Sequence, residues 1–96
     1  MKYDLPERAE RDIISIARRY GVQKVILFGS RARGDNGERS DIDLAVSGGD
    51  IGEFAEAVEE EAWTLLMFDV VNLDRKISPE LQTEINRDGV VLYEKT

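Results

Sequence analysis

Short apolar runs of strand length, separated by segments of helical periodicity, constrain the fold of this chain most. Val25–Phe28 and Val90–Tyr93 are continuous apolar runs, and Leu66–Leu73 is almost wholly apolar. Such runs, when turn residues bound them, are typical of buried strands. Asp41–Val46 begins with alternating acidic and apolar residues, which is the periodicity of a strand. The sequence therefore predicts four strands.

Helices are predicted between these strands. Apolar residues recur at helical spacing over residues 5–20, from 51 to 65 and between 78 and 89, and a short helix is expected near Ser30–Arg33. Patterns typical of N-terminal caps predict the helix starts, and glycines predict the ends. The starts are at Asp4–Glu7, Asp50–Glu53 and Ser78-Pro79, and the ends are at Gly21 and Gly89. The predicted order is α-β-(α)-β-α-β-α-β, an α/β class.

The composition excludes several kinds of active site. The 96 residues suit one domain, expected over 1–96, and none of them is cysteine or histidine. Disulfides, thiolate metal sites, catalytic histidines and the usual zinc ligands are therefore excluded. Carboxylates, a metal ion, hydroxyls and arginine or lysine must carry any chemistry.

The charge balance and the hydropathy bear on partners and on location. The formal net charge is -7, and an acidic chain is repelled by nucleic acid and by anionic membranes. No apolar run approaches the roughly 20 residues that cross a bilayer. Met1–Asp4 lacks the apolar stretch of a signal peptide, so the expected compartment is the cytoplasm.

A phosphate-binding turn is predicted at the end of the first strand, where Gly29 and Ser30 lead into the short helix. Glycine lets the backbone approach a ligand closely, and Ser30 can cap a helix whose free N–H groups attract phosphate. Arg31 and Arg33 add positive charge beside it. An ordinary turn with solvated arginines is the alternative. A P-loop is excluded, because Asp35-Asn36 stands where Lys-Ser/Thr is required.

A pair of carboxylates is predicted on one face of the second strand. Asp41 and Asp43 are two positions apart, so their side chains project to the same face, whereas Ile42 and Leu44 project into the core. Adjacent carboxylates repel each other unless a divalent cation lies between them. The pair therefore indicates a metal site, although an Asp-x-Asp pattern is a weak signal in a chain with twenty acids.

A third acid is expected on a neighbouring strand. Asp69 is a charged residue within the otherwise apolar third strand, where an unpaired buried carboxylate is costly. A metal ion or a basic partner would remove that cost, and a strand-edge acid that faces water is the alternative. Asp74 is the second candidate, but it precedes Arg75-Lys76 at the strand end and is typical of a loop residue.

The order of these motifs resembles a known signature. The chain resembles the signature of the DNA polymerase β-like nucleotidyltransferase superfamily, with Gly29-Ser30, ten intervening residues (31–40) and then Asp41-Ile42-Asp43. Within that superfamily, residues 28–34 and 40–46 resemble the minimal nucleotidyltransferase family, and the resemblance covers nearly the whole chain. It implies an α/β (α+β) fold with a small mixed β-sheet and helices packed on it.

The resemblance also implies roles for the site residues. Two Mg²⁺ ions would be bound by carboxylates, and the triphosphate of ATP, the nucleotide donor, would be held by the glycine turn with nearby polar groups assisting. The implied metal ligands and catalytic residues are Asp41, Asp43 and Asp69. The implied nucleotide-binding residues are Gly29, Ser30, Arg31, Arg33 and Ser40.

The implied function is transfer of AMP from ATP to a tyrosine hydroxyl of a HEPN-domain ribonuclease toxin, which this chain would neutralise as an antitoxin. The acidic balance argues against a nucleic-acid acceptor, and the sequence leaves a homo-oligomer open. Two alternatives remain: a nucleotide-binding antitoxin that acts by occlusion alone, and a transferase with a small-molecule acceptor. Trp63 lies off the main apolar stripe of its helix, where it faces a partner or flanks the core.

Overall fold

The computed structural model describes residues 3–96, which form four helices and four strands in the predicted order. Met1 and Lys2, the first two positions of the predicted domain, lie outside the described residues. The helices are α1 (Glu7–Arg19), α2 (Gly29–Arg33), α3 (Ile51–Glu61) and α4 (Pro79–Asp88). The strands are β1 (Lys24–Phe28), β2 (Ile42–Ser47), β3 (Phe68–Asn72) and β4 (Val90–Glu94).

The four strands form one mixed sheet in the order β3-β2-β1-β4. β1 is antiparallel to both β2 and β4, and β2 is parallel to β3. The α3 helix makes the crossover that a parallel pair requires. The mixed sheet with packed helices that the resemblance implied is thereby confirmed, and β3 forms one edge of it.

The main core lies on one face of the sheet, under α1 and α3. Because strand side chains alternate, Leu27 and Leu44 point to this face, where they meet Ile13 of α1 and Phe54 of α3. All four are fully buried, and each contributes about 2 kcal/mol to folding. This face of the sheet therefore stabilises the fold through its packing against α1 and α3.

A smaller cluster lies on the opposite face, under α4. Phe28 of β1, Ala45 of β2 and Ile85 of α4 are its buried members. Asp43 pairs with Phe28 across the β1–β2 ladder and is two residues from Ala45, so its side chain lies on this same face. The α4 helix therefore covers the face from which the predicted carboxylates project.

Of the caps predicted for the three longer helices, two are confirmed. Asp50 Oδ1 accepts a hydrogen bond from the N–H of Glu53 (3.2 Å), and Ser78 Oγ accepts one from the N–H of Leu81 (3.1 Å). The predicted cap at Asp4 is wrong, because α1 begins at Glu7 after Pro6 and has no side-chain cap.

The α3 helix ends earlier than its apolar periodicity predicts. The chain leaves α3 at Ala62, where ψ is 138°, so residues 62–67 form a loop and β3 begins only at Phe68. Leu65, predicted on the buried helical face, is exposed in this loop. Over residues 3–96, no helix is both long enough and apolar enough to cross a membrane.

Candidate active site

The turn between β1 and α2 brings the backbone against a carboxylate. Gly29 follows Phe28 directly and has a φ of 75°, a left-handed conformation that favours glycine. A Cβ at this position would overlap Oδ2 of Asp43. The glycine is therefore required both by its backbone and by its close approach to β2, and a ligand at the turn would also lie beside Asp43.

Two of the three predicted acids lie on one face of the sheet, and the third lies just before the strand. Asp43 of β2 and Asp69 of β3 are direct partners in the parallel ladder, so their side chains project to the same side. Asp41 precedes β2 by one residue and lies two positions before Asp43. Asp43 is half-buried, whereas Asp41 and Asp69 are exposed. The structure thus brings Asp69 beside the Asp-x-Asp pair, and its role as a metal ligand stays a prediction.

Asp74, the second candidate for the third acid, lies elsewhere. Its Oδ2 accepts a hydrogen bond from the backbone N–H of Gly48 (2.9 Å), and its own N–H donates to Asn72 Oδ1 (2.8 Å). These contacts connect the turn after β3 to the turn after β2. Asp74 therefore has a structural role, and Asp69 is the better-placed acid.

Burial and neighbouring carboxylates raise the pKa of Asp43 to about 6. Burial is the largest cause, and the negative charges of Asp69, Asp41 and Glu84 follow in that order, whereas Arg33 acts in the opposite direction. A cation placed among these groups would reverse the effect, because it would favour the ionised carboxylate.

The donor groups suit a hard cation, although their present arrangement does not enclose one. Carboxylate oxygens are the ligands that Mg²⁺ prefers, and the absence of a side chain at position 29 leaves room for the Asp43 carboxylate at the glycine turn. In the described part of the chain, no three His, Cys, Asp or Glu side chains are grouped closely enough to hold an ion. Carboxylates at close range repel each other, so their convergence requires the charge of the ion itself.

Arg31 holds the loop that precedes β2. The residue is 3% exposed, and its guanidinium donates to three backbone carbonyls. Nε reaches Ser40 (2.9 Å), Nη1 reaches Asp4 (3.1 Å) and Nη2 reaches Glu38 (3.0 Å). Arg31 thus joins α2, the loop and the segment before α1. Its predicted contact with a triphosphate stays a prediction, but this network already uses three of its five N–H groups.

Arg33 is more accessible than Arg31 and lies close enough to Asp43 to lower its pKa. Nη1 of Arg33 donates to Oδ2 of Asp88 (2.9 Å), and Nε donates to Oδ2 of Asp35 (3.1 Å). The Asp88 side chain is only 8% exposed, and hydrogen bonds from Arg87 and Arg33 lower its pKa to about 2. Arg33 is therefore a positioned cation at the edge of the acidic group.

The two predicted serines lie in this region with different surroundings. The short helix begins at Gly29, so Ser30 lies within it and does not cap it, contrary to the prediction. The Ser30 hydroxyl has no hydrogen-bond partner among residues 3–96, whereas Ser40 Oγ accepts from the N–H of Gly37 (2.9 Å). Their contacts with a nucleotide stay predictions, and Ser30 is the one with a free hydroxyl.

Sequence reasoning missed two acids of α4. Glu84 influences the pKa of Asp43, and Asp88 holds Arg33. The two are four residues apart and therefore share one side of the helix, next to the inward-facing Leu81 and Ile85. The four-residue spacing can be read from the sequence, but the sequence alone does not predict which side of α4 faces β2.

The small mixed sheet carries a glycine turn beside paired acids on two neighbouring strands, with a third acid just before one of them. Together these features define a nucleotidyltransferase type of protein. Residues 11–96 match the family described as polymerase beta, nucleotidyltransferase, and the chain belongs to this family. The predicted relationship is thereby confirmed. No curated protein matches the sequence.

Solved structures with the same fold include toxin–antitoxin complexes. A chain of a toxin–antitoxin structure with AMP-PNP is 27% identical, with a TM-score of 0.73 over 91% of this chain and 74% of that one. A chain of a mutant MntA-HpeT toxin–antitoxin is 25% identical, with a TM-score of 0.71 over 91% and 74% of the two chains. A protein named as a candidate minimal nucleotidyltransferase is 29% identical, with a TM-score of 0.64 over 84% and 86%.

Proposed function

We propose that this chain transfers AMP from ATP, with Mg²⁺, to a hydroxyl of a protein partner, and that it thereby acts as the antitoxin of a HEPN-domain ribonuclease toxin in the cytoplasm. The observation that carries the proposal is the position of Asp43. It pairs with Asp69 across two strands, lies two residues after Asp41 and touches the glycine turn at Gly29.

The residues divide the chemistry among them. Asp41, Asp43 and Asp69 would hold two Mg²⁺ ions, which supply charge neutralisation for the triphosphate and a lowered pKa for the attacking hydroxyl. Gly29 lets the triphosphate approach the backbone, the Ser30 hydroxyl is free to bind it, and Arg33 brings a cation.

The bond changes follow from that arrangement. The acceptor oxygen forms a bond to the α-phosphorus as the bond from this phosphorus to the bridging oxygen of the β-phosphate breaks. Pyrophosphate leaves with the electron pair, and the proton of the hydroxyl passes to solvent. Positioning and charge neutralisation supply most of the rate acceleration, so the carboxylates act mainly by orienting the reactants.

The solved neighbours support a protein partner and an adenine nucleotide. One of them is a toxin–antitoxin structure with AMP-PNP, an ATP analogue. A second is a MntA-HpeT mutant in which two aspartates, two positions apart, are changed to glutamate. A third MntA-HpeT structure carries a tyrosine-to-alanine change. The aspartate spacing is the spacing of Asp41 and Asp43 in this chain.

Labelled ATP tests the proposal. The purified chain is incubated with Mg²⁺ and ATP labelled at the α-phosphate in a lysate of its own cells, beside Asp41→Asn/Asp43→Asn protein. We expect label on one discrete protein band, and only with the unchanged chain. The labelled protein and the modified residue are then identified by mass spectrometry, and label on a tyrosine of a HEPN-domain protein is the expected result.

Single variants sharpen the assignment of the third acid. We expect Asp69→Asn to abolish labelling and Asp74→Asn to preserve it, because only Asp69 pairs with Asp43. If the double variant transfers no label but still neutralises the partner, the chain acts by occlusion. Label on a small hydroxyl compound in the absence of any partner protein would instead support a small-molecule acceptor.

A further inference from the structure

The loop between α3 and β3 exposes an unusual amount of apolar surface. The 62–67 loop (residues 62 to 67) contains three of the four large apolar residues that are exposed in the described chain. Trp63 is 65% exposed, Leu65 103% and Met67 62%, and the loop has no charged residue. Connecting loops are usually polar, and contiguous exposed apolar groups mark interaction sites.

The 62–67 loop is held in a fixed conformation by its backbone. The N–H of Trp63 donates to Asp12 Oδ2 on α1 (2.8 Å), and the N–H of Leu66 donates to Thr64 Oγ1 (3.1 Å). At the other end, the carbonyl of Met67 accepts from the N–H of Ile42 (2.9 Å). A surface that is already ordered loses little conformational entropy on binding, so these contacts favour docking.

The 62–67 loop adjoins the acidic group of the site. Its contact with Ile42 places Met67 beside the strand segment between Asp41 and Asp43. Arg39, two residues before Asp41, lines a shallow groove of about 420 Å³ together with Leu65, Leu66 and Met67. A partner bound in this groove would therefore lie next to the carboxylates.

Two arginines lie against the side chains of the loop. The guanidinium of Arg8 stacks on the ring of Trp63 at 4.4 Å, and Arg39 lines the groove. Neither arginine forms an ion pair with any residue from 3 to 96. Trp, Met and Arg are the residue types enriched in the centres of protein interfaces, and unpaired arginines attract carboxylates.

We propose that the 62–67 loop, with Arg8 and Arg39, is the docking surface for the partner protein and binds a segment with apolar side chains flanked by Asp or Glu. This inference rests on the proposed function, since the docked protein is the one that receives the nucleotide. A second copy of this chain fits less well, because a symmetric contact through this surface would bring the arginines of both copies together.

Site-specific crosslinking in cells tests the surface with a readout other than transfer. In one strain the chromosomal gene is changed so that photoreactive p-benzoylphenylalanine replaces Leu65. In the control strain it replaces Val91, which is exposed on the opposite sheet edge. Crosslinked peptides are identified by mass spectrometry. We expect the protein labelled by ATP to crosslink at position 65 and not at 91, through a peptide in which Asp or Glu flanks apolar residues.

The affinity of the identified partner tests the two kinds of contact. We expect Leu65→Ser to weaken its Kd at least tenfold and Val91→Ser to change it less than twofold. Arg39→Glu should also weaken the Kd at least tenfold, whereas Arg75→Glu, at an exposed arginine in the turn after β3, should not. Because Leu65 is fully exposed, its replacement leaves the core intact.

The outcomes separate this inference from the proposed function. Crosslinking of the labelled acceptor at 91, of a second copy of this chain at 65, or of nothing above background at 65 would overturn the docking surface and leave transfer standing. A partner that crosslinks at 65 and loses affinity in Leu65→Ser and Arg39→Glu, but never receives label, would support the surface and remove the transfer proposal.

Discussion

At the scale of single residues, Asp43 is the central acid of the proposed site, and its carboxylate also lowers the stability of the metal-free fold. Its pKa in the folded chain, about 6, lies above the ordinary value of 3.8. A raised carboxyl pKa means that the folded state prefers the protonated form, so stability falls as pH rises from about 4 through 6. At neutral pH the ionised carboxylate therefore destabilises the fold when no cation is bound.

We expect Asp43→Asn to stabilise the metal-free chain at pH 7.5, because asparagine cannot ionise. The gain should be on the order of 1 kcal/mol, since solvent screens a half-buried group. Urea unfolding with EDTA at pH 7.5 and pH 4 measures it, and the gain should vanish at pH 4. Glu56→Gln, at an exposed acid of α3, is the control. A variant less stable than the unchanged chain at pH 7.5 would contradict this account.

Gly29 offers a second test at the scale of one residue. Gly29→Ala forces alanine into a positive φ and against Asp43, so we expect a loss of about 3 kcal/mol. Gly21→Ala is the matched control, because Gly21 also has a positive φ (68°) but no atom within 4 Å of an added Cβ. Its loss should be about 1 kcal/mol.

A double-mutant cycle separates the steric overlap of the added Cβ with Asp43 from the cost of the positive φ at position 29. In an Asp43→Ala background, the carboxylate that a Cβ at position 29 would meet is gone, and the cost of Gly29→Ala should fall to that of Gly21→Ala. Equal costs in both backgrounds, measured by urea unfolding, would show that Gly29 is required for its φ alone.

At the scale of elements, Arg31 connects α2, the loop before β2 and the segment before α1. A lysine at this position carries one compact ammonium group and cannot reach three separate carbonyls. We expect Arg31→Lys to cost about 2 kcal/mol, because buried carbonyls lose their donors. Urea unfolding measures the loss, and Arg11→Lys, on the exposed side of α1, should change stability little.

The same substitution should open the loop locally. Hydrogen exchange of residues 34–41 should accelerate more in Arg31→Lys than exchange of the core strands, since the loop loses its anchor before the sheet does. Uniform acceleration across β1 and the loop would instead mean that Arg31 supports the whole fold.

The order of the elements could be predicted, because each strand is a short apolar run or an alternating segment, and both differ in period from the helices. The end of α3 could not. Ala62 and Leu65 continue its helical spacing, but the chain turns extended at Ala62, and the N–H of Trp63 finds its partner on α1, at Asp12. A hydrogen bond between residues 51 positions apart leaves no local pattern in the sequence.

The sequence predicted most residues of the candidate site, but it did not predict the contacts between them. The Gly-Ser and Asp-x-Asp pattern located the turn and two acids, since strand periodicity alone places Asp41 and Asp43 on one face. The pairing of Asp43 with Asp69 depends on the register of a parallel ladder, and the influence of Glu84 depends on how α4 docks. Both are tertiary properties.

At the scale of the whole molecule, binding and folding are coupled. The Cα radius of gyration, 12.2 Å, is close to the roughly 12.5 Å expected of a compact domain of this length. Such a small chain has a modest margin of stability, and it carries a net charge of -7 with acids grouped at the site. A ligand that neutralises these acids should therefore raise the stability of the whole fold.

We expect Mg²⁺ with a non-hydrolysable ATP analogue to raise the Tm. At a ligand concentration of about 100 times Kd the linkage amounts to about 2.7 kcal/mol, which corresponds to a rise of roughly 10 °C or more for a domain of this size. Mg²⁺ alone should give a smaller rise, and sodium chloride at equal ionic strength controls for screening. In Asp41→Asn/Asp43→Asn protein the rise should disappear, since the cation has lost two of its ligands. An equal rise in that variant would place the nucleotide away from the carboxylates.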